Sequence, residues 1–175
     1  MAIYRTQIQP LLPDRLALCD AIVALHHTQN YANGNNFLLE GEVFEPLIRQ
    51  VSTAFESESR RLVGRFNLSP SSVSHCWAYV SNRSDYRGGR HHHLKTSTIN
   101  GVFYLQVPPT DPGALHTGAL NFFDSEGVPF MRFQPRENDL LIFPNYLLHE
   151  PERIDSDAYR IAINVEIICD FVWRR

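Results

Sequence analysis

The sequence predicts a single, mainly β domain in which a helical first half packs against a β-sandwich or barrel. Three observations predict it: the chain has 175 residues, its hydrophobic periodicity changes near residue 73, and short apolar segments separated by turn residues follow. A chain of this length is typical of one domain with its own hydrophobic core. We therefore expect residues 1–72 to form a helical lead-in and residues 73–175 to form the β core.

Two segments of the lead-in have the spacing of amphipathic helices. Residues 13–26 begin with Pro13 and repeat apolar side chains at close to 3.6 residues, and residues 44–62 repeat them at i, i+3, i+4 and i+7. Residues 30–41 between them are rich in Asn and Gly, which predicts a loop. The two helices are expected to pack on the outside of the β core.

Short apolar and β-branched segments dominate the second half, and Gly, Pro or Asn residues bound them. Such segments in close succession are typical of a sandwich or barrel. The predicted strands are residues 74–80, 99–107, 119–123, 139–143 and 159–168. The loops at 30–41, 81–89 and 108–118 are the predicted lids of a binding site.

The composition argues against several classes of protein. Lys and Arg number 16 against 19 Asp and Glu, so the basic surplus of a nucleic-acid-binding protein is missing. No apolar run approaches about 18 residues, so neither a membrane span nor a signal peptide is expected. The three cysteines form no CxxC pair, which argues against a cysteine zinc site and a disulfide framework. We expect a cytoplasmic protein.

Three consecutive histidines, His91, His92 and His93, form the first candidate site. In an extended segment alternate side chains share a face, so His91 and His93 are expected on one face and His92 on the other. Two imidazoles at this spacing can chelate one metal ion, and imidazole suits iron, zinc, copper or nickel. A solvated loop without a metal is the alternative for this segment taken alone.

Two further residues lie downstream. His149 follows the apolar strand at 139–143, and Arg160 lies eleven residues later, at the start of the last predicted strand. Ala162 and Asn164 share the Arg160 face of that strand. An arginine at a strand end usually forms a surface salt bridge, whereas one that faces a barrel mouth can clamp a carboxylate with two hydrogen bonds.

The second half thus carries an ordered set of motifs: His91-His92-His93, Gly101-Val102-Phe103-Tyr104-Leu105, Leu140-Leu141-Ile142-Phe143-Pro144, His149 and Arg160. This order resembles the non-haem iron, 2-oxoglutarate-dependent oxygenases, and more narrowly a small bacterial and phage family of such enzymes. The resemblance covers residues 77–166, slightly more than half of the chain. Other matching stretches are residues 77–80, 84–86, 118–122 and 149–164.

The resemblance implies a double-stranded β-helix, a jelly-roll, cupin-like barrel with helices outside. It implies that His91, His93 and His149 hold Fe(II), with open positions for 2-oxoglutarate and O2. Arg160 matches the arginine that binds the distal carboxylate of 2-oxoglutarate. The implied activity is a dioxygenase reaction that hydroxylates a small metabolite or an amino-acid or peptide side chain.

One departure from the family pattern concerns the metal. The superfamily usually places a carboxylate two residues after the first histidine, but His93 stands there. This implies a three-histidine centre, unless Glu150, Asp85 or Asp124 supplies a carboxylate. In the alternative register His92 is the proximal ligand and no ligand follows at +2, which is the pattern of iron halogenases.

A second departure concerns the co-substrate. The position two residues after the arginine often carries Ser or Thr, but here it is Ala162, which removes one hydrogen bond to 2-oxoglutarate. Asn164 on the same face is expected to replace it, and either Tyr104 or Tyr86 to donate a hydrogen bond to the same carboxylate. Two rival functions stay open: a three-histidine, cupin-like dioxygenase without 2-oxoglutarate, which Arg160 argues against, and a non-catalytic ligand-binding barrel.

The expected partner is a small-molecule or peptide substrate, and neither nucleic acid nor membrane is expected. Trp77, Tyr79 and Phe103 are candidates for lining its pocket, with burial in the core as the alternative. The aromatic terminal segment at 171–175 has two interpretations, docking on the barrel or forming a homodimer.

Overall fold

A computed structural model describes residues 3–28, 35–69 and 76–173. Within these residues the chain forms two helices and nine strands. In chain order they are β1 (Tyr4–Gln7), α1 (Arg15–Thr28), β2 (Asn36–Leu38), α2 (Glu45–Val63), β3 (Cys76–Ser81), β4 (Ile99–Gln106), β5 (Leu120–Phe123), β6 (Pro129–Phe133), β7 (Asp139–Pro144), β8 (Leu148–Pro151) and β9 (Arg160–Ile167). Neither described helix is long and apolar enough to cross a membrane.

The strands form two antiparallel sheets. The large sheet has the order β1-β7-β4-β9-β3-β2, and the small sheet has the order β6-β5-β8. His91 extends the small sheet beyond β8, because its backbone N–H donates to the His149 carbonyl (3.0 Å) and its carbonyl accepts from the His149 N–H (2.9 Å).

From β3 onward the chain crosses repeatedly between the two sheets. β3 lies in the large sheet, His91 pairs with the small sheet, β4 returns to the large sheet, and β5 and β6 lie in the small sheet. β7, β8 and β9 continue the alternation. This winding around one interior is the predicted double-stranded β-helix, so the fold-class prediction is confirmed.

Two hydrophobic cores lie on opposite faces of the large sheet. In the outer core, α2 packs on β4, β7 and β9, and α1 packs on β3. In the inner core, the large sheet faces the small one and buries Tyr104 and Ala162 together with Phe122. Side chains of a strand alternate between faces, so Ile161 and Ile163 of β9 belong to the outer core and Ala162 to the inner one.

The helices are fixed by local chemistry and by close packing. Asp14 caps α1, because its carboxylate accepts a hydrogen bond from the backbone N–H of Ala17 (2.9 Å). Helix α2 lies directly on β4 at Gly101, where an added Cβ would come within 2.7 Å of the Phe55 ring and 2.8 Å of Val165. A glycine inside a strand is expected at such a close approach.

Four strands, β1, β2, β6 and β8, lie where the sequence predicted none, so the prediction is wrong there. β2 lies inside the predicted loop at 30–41, of which residues 30–34 fall outside the described residues. Strands of three to five residues are too short to show a period, and β6 leaves four of its five residues exposed. The two helices and the five predicted strands agree with the structure within two residues at each described end.

The terminal aromatic segment docks on the barrel, as far as residue 173. Phe171 and Trp173 pack against the outer core, and the Trp173 indole N–H donates to the Thr98 carbonyl (2.7 Å). Docking is thus the interpretation that applies to these residues. A homodimer stays a prediction.

Candidate metal centre

The strands bring three predicted histidines, His91, His93 and His149, to one place. The potential ligand atoms of the three side chains all lie within 4.8 Å of one another. His91 and His149 face each other across the small sheet, with ring centroids 4.3 Å apart, and His93 follows at the same face. The pairing of β8 with the His91 segment therefore creates the cluster.

Each of these histidines uses its Nδ1 atom in a hydrogen bond. The acceptors are the Gly89 carbonyl for His91 (2.8 Å), the Leu147 carbonyl for His149 (2.9 Å) and the Glu166 carboxylate for His93 (2.6 Å). An imidazole that donates from Nδ1–H keeps the lone pair of Nε2 free for a metal. The donor set therefore fits a divalent transition metal held by three Nε2 atoms.

The surroundings keep two of the three histidines, His149 and His91, neutral. Burial, followed by the proximity of His91, lowers the pKa of His149 from 6.5 to about 3. Burial also lowers the pKa of His91. Both imidazoles are therefore unprotonated at neutral pH, which is the form that binds metal.

The three carboxylates considered as alternative metal ligands lie outside the histidine cluster and have other partners. Asp85 pairs with the buried His26 (2.6 Å), Glu150 with Arg90 (3.6 Å), and Asp124 accepts hydrogen bonds from its own loop. His92 is exposed and lines the cavity, but it lies outside the cluster, so the histidines that converge are those of the first register, His91 and His93.

Arg160 lines the same cavity as the three histidines, which has a volume of about 660 Å³. Its side chain is only 2% exposed, and it donates to the Gly118 carbonyl (2.5 Å) and the Ser81 hydroxyl (3.1 Å). Its Nε has no hydrogen-bond partner, and no carboxylate among the described residues pairs with the guanidinium. A buried cation normally has an anionic partner, so this cavity is suited to an anion.

Two tyrosines flank Ala162 in the cavity wall. Tyr79 on β3 and Tyr104 on β4 are its direct partners on either side in the large sheet. Burial raises the pKa of both phenols, so they stay protonated and can donate hydrogen bonds. Tyr86, the alternative to Tyr104, instead donates its hydroxyl to the Pro151 carbonyl.

Some of the other residues predicted to line the pocket do so, and one does not. Trp77 and Asn164 line it, and the Asn164 amide donates to the Asn36 side chain (3.2 Å). Phe103 is fully buried in the outer core, so the prediction of a pocket role for it is wrong. Glu166 was not predicted, although the alternation that joins Arg160, Ala162 and Asn164 on one face of β9 also includes it.

A double-stranded β-helix whose interior holds three convergent histidines and an unpaired buried arginine belongs to the class of metal-dependent jelly-roll oxygenases. The chain belongs to the family described as "Putative 2OG-Fe(II) oxygenase", whose model matches residues 75–166, more than half of the chain. It is therefore an oxidoreductase that uses Fe(II) and 2-oxoglutarate. No curated protein sequence matches it.

Solved structures of similar fold include two prolyl hydroxylases. The first, from Trichoplax adhaerens in complex with a hypoxia inducible factor oxygen degradation domain peptide fragment, is 17% identical (TM-score 0.62, covering 94% of this chain and 83% of that chain). A Pseudomonas putida prolyl-4-hydroxylase is 18% identical (TM-score 0.61, covering 94% and 91%). The non-heme alpha ketoglutarate dependent carbocyclase SnoK from nogalamycin biosynthesis is 14% identical (TM-score 0.62, covering 95% and 79%). At these identities the likeness supports the fold alone.

Proposed function

We propose that the protein hydroxylates a small metabolite or an amino-acid or peptide side chain, with Fe(II) held by His91, His93 and His149 and 2-oxoglutarate anchored by Arg160. The observation that carries the proposal is the guanidinium of Arg160. It is buried in the cavity of the three histidines, without a carboxylate partner among the described residues. A dicarboxylate co-substrate supplies the missing anion.

The three histidines would hold the metal through Nε2, since Nδ1 of each is engaged. Bound Fe(II) would supply the activation of O2 and the oxidation of the substrate carbon. The protein contributes the geometry: β8 and the His91 segment paired with it carry the histidines, and β9 carries the arginine on the facing sheet.

Arg160 binds the distal carboxylate of 2-oxoglutarate with the N–H groups that do not donate to Gly118 or Ser81. Tyr79 and Tyr104 support this role as phenol donors on both sides of Ala162, and they replace the hydroxyl that this position lacks. Asn164 lies further along β9, where its amide can reach the co-substrate or the substrate. The apolar side chains of Val102, Leu120 and Phe143 exclude water from this part of the cavity.

We infer the mouth of the cavity from exposed lining residues, among them Arg87, Gly89 and His92, and the substrate would enter there. An open mouth suits a small molecule or one side chain of an extended peptide. The peptide complex of the Trichoplax adhaerens prolyl hydroxylase is consistent with a peptide substrate in this fold.

The test is an anaerobic titration of metal-free protein with Fe(II) and 2-oxoglutarate, monitored by the weak visible charge-transfer band of the chelate. We expect a band that weakens in Arg160→Ala and is absent in His149→Ala. Iron binding without a 2-oxoglutarate band would instead support the three-histidine dioxygenase. Absence of metal binding would leave a non-catalytic barrel.

A further inference from the structure

We infer that Glu166 is a positioning residue that gives the three-histidine centre the negative charge its ligands lack. This inference rests on the proposed function, because it concerns the metal held by His93. Glu166 lies on β9 and lines the cavity of the three histidines.

The contact between Glu166 and His93 differs in kind from those of the other two histidines. His91 and His149 donate Nδ1–H to neutral backbone carbonyls, whereas His93 donates to a carboxylate oxygen at 2.6 Å. A carboxylate acceptor fixes the tautomer and the ring orientation, and it makes the opposite nitrogen a stronger ligand. Hydrogen bonds to charged acceptors are also stronger than those to neutral ones.

Glu166 acts through His93 and is not itself a ligand. Its carboxylate approaches the Nδ1 side of the ring, and it does not belong to the group of converging ligand atoms. The carboxylates considered as metal ligands have other partners: Asp85 and Glu150 pair with His26 and Arg90, and Asp124 accepts hydrogen bonds from its own loop. Within the described residues, Glu166 is therefore the acid that reaches a histidine of the cluster.

The backbone around His93 is held independently of Glu166. The His93 N–H donates to the Asn145 carbonyl (2.8 Å), and the Asn145 side chain donates to the Ser97 carbonyl (2.8 Å). The Ser97 N–H donates to the His93 carbonyl (3.1 Å) and closes the loop of hydrogen bonds. This closed loop fixes the backbone of His93, so that the Glu166 carboxylate governs the one remaining freedom, the rotation of the imidazole ring.

The test compares Glu166→Gln and Glu166→Ala with wild type, using Fe(II) affinity from competition with a chelator and the visible spectrum of the Co(II) form. Glutamine keeps an acceptor and removes the charge, so we expect weaker Fe(II) binding, by about 10- to 100-fold, with a nearly unchanged Co(II) spectrum. Alanine removes both, so we expect a similar or larger loss together with a changed spectrum. Glu150→Gln is the matched control and is expected to bind like wild type.

Two results separate this inference from the proposed function. If Glu166→Gln binds Fe(II) as tightly as wild type, while His149→Ala does not bind, the inference is refuted and the three-histidine centre stands. If wild type and His149→Ala bind alike, the proposed metal centre itself is wrong. Both Glu166 and His93 side chains are about one-fifth exposed, so the variants are expected to fold.

Discussion

Replacing Arg160 with methionine is expected to separate co-substrate affinity from stability. In the unliganded protein the guanidinium is buried and has no carboxylate partner among the described residues. Such a desolvated charge costs several kcal/mol. The hydrogen bonds to Gly118 and Ser81 return about 1.5–3 kcal/mol each. Because these terms nearly cancel, we expect the free energy of unfolding to change by less than about 2 kcal/mol.

The effect of the same substitution on co-substrate binding is much larger. A bound carboxylate would lose two charge-assisted hydrogen bonds from Arg160, worth together about 3 kcal/mol or more. Since about 1.4 kcal/mol corresponds to a factor of ten, 2-oxoglutarate should bind at least about 100-fold more weakly. Little change in stability and a large loss of affinity together characterise a residue kept for a ligand.

The assays are urea unfolding of the metal-free protein and calorimetric titration of the Mn(II)-loaded protein with 2-oxoglutarate. Arg61→Met is the control, because Arg61 pairs with Glu58 on the surface of α2 and does not line the cavity. A loss of more than about 4 kcal/mol of stability, with unchanged 2-oxoglutarate binding, would refute the reasoning and make Arg160 a structural residue.

Three further predictions each concern a single residue. Gly118 has a φ of +72°, and an added Cβ would lie 3.0 Å from Arg160. Gly118→Ala should therefore displace the guanidinium and weaken 2-oxoglutarate binding, by about fivefold for each 1 kcal/mol of binding free energy lost. The same calorimetry measures this loss. Gly101→Ala should destabilise the protein by about 1–3 kcal/mol in urea unfolding, because the added methyl group overlaps a ring of α2, whereas Gly89→Ala, which has open space, should not. The pKa of His149 is about 3 in the folded protein and near 6.5 otherwise, so the unfolded chain binds more protons between these values. The stability of metal-free protein should therefore fall as the pH decreases from 6.5 towards 3, and a pH series of unfolding curves should show a smaller decrease for His149→Gln.

Sequence periodicity was sufficient for residues whose role depends on one strand. The two-residue alternation placed His91 and His93 on one face, and the same rule placed Arg160, Ala162 and Asn164 together on β9. Both groups line the cavity of the structure. The long helices were predictable for the same reason, because each spans several turns.

Features that depend on pairing between strands could not be predicted. Tyr79 and Phe103 are both aromatic strand residues at odd-numbered positions, but odd positions face the interior on β3 and the helices on β4. The contact of Glu166 with His93 joins residues 73 positions apart in the chain, and no local pattern indicates it. The edge strands β1 and β2 are defined by their partners β7 and β3, not by their own composition.

The charges along β9 differ between its two ends, which bears on the orientation of the co-substrate in the proposed function. Arg160, at its start, is a buried cation, and Glu166, near its end, is an anion in contact with a histidine of the metal cluster. Between them, the interior face carries Ala162 and Asn164, which are uncharged. A dicarboxylate is therefore attracted to the Arg160 end and repelled from the Glu166 end, except where a metal ion on the three histidines offsets the repulsion. In the proposed function this polarity would favour metal binding before the co-substrate, and it would direct the distal carboxylate towards Arg160 and the other end of the molecule towards the histidines.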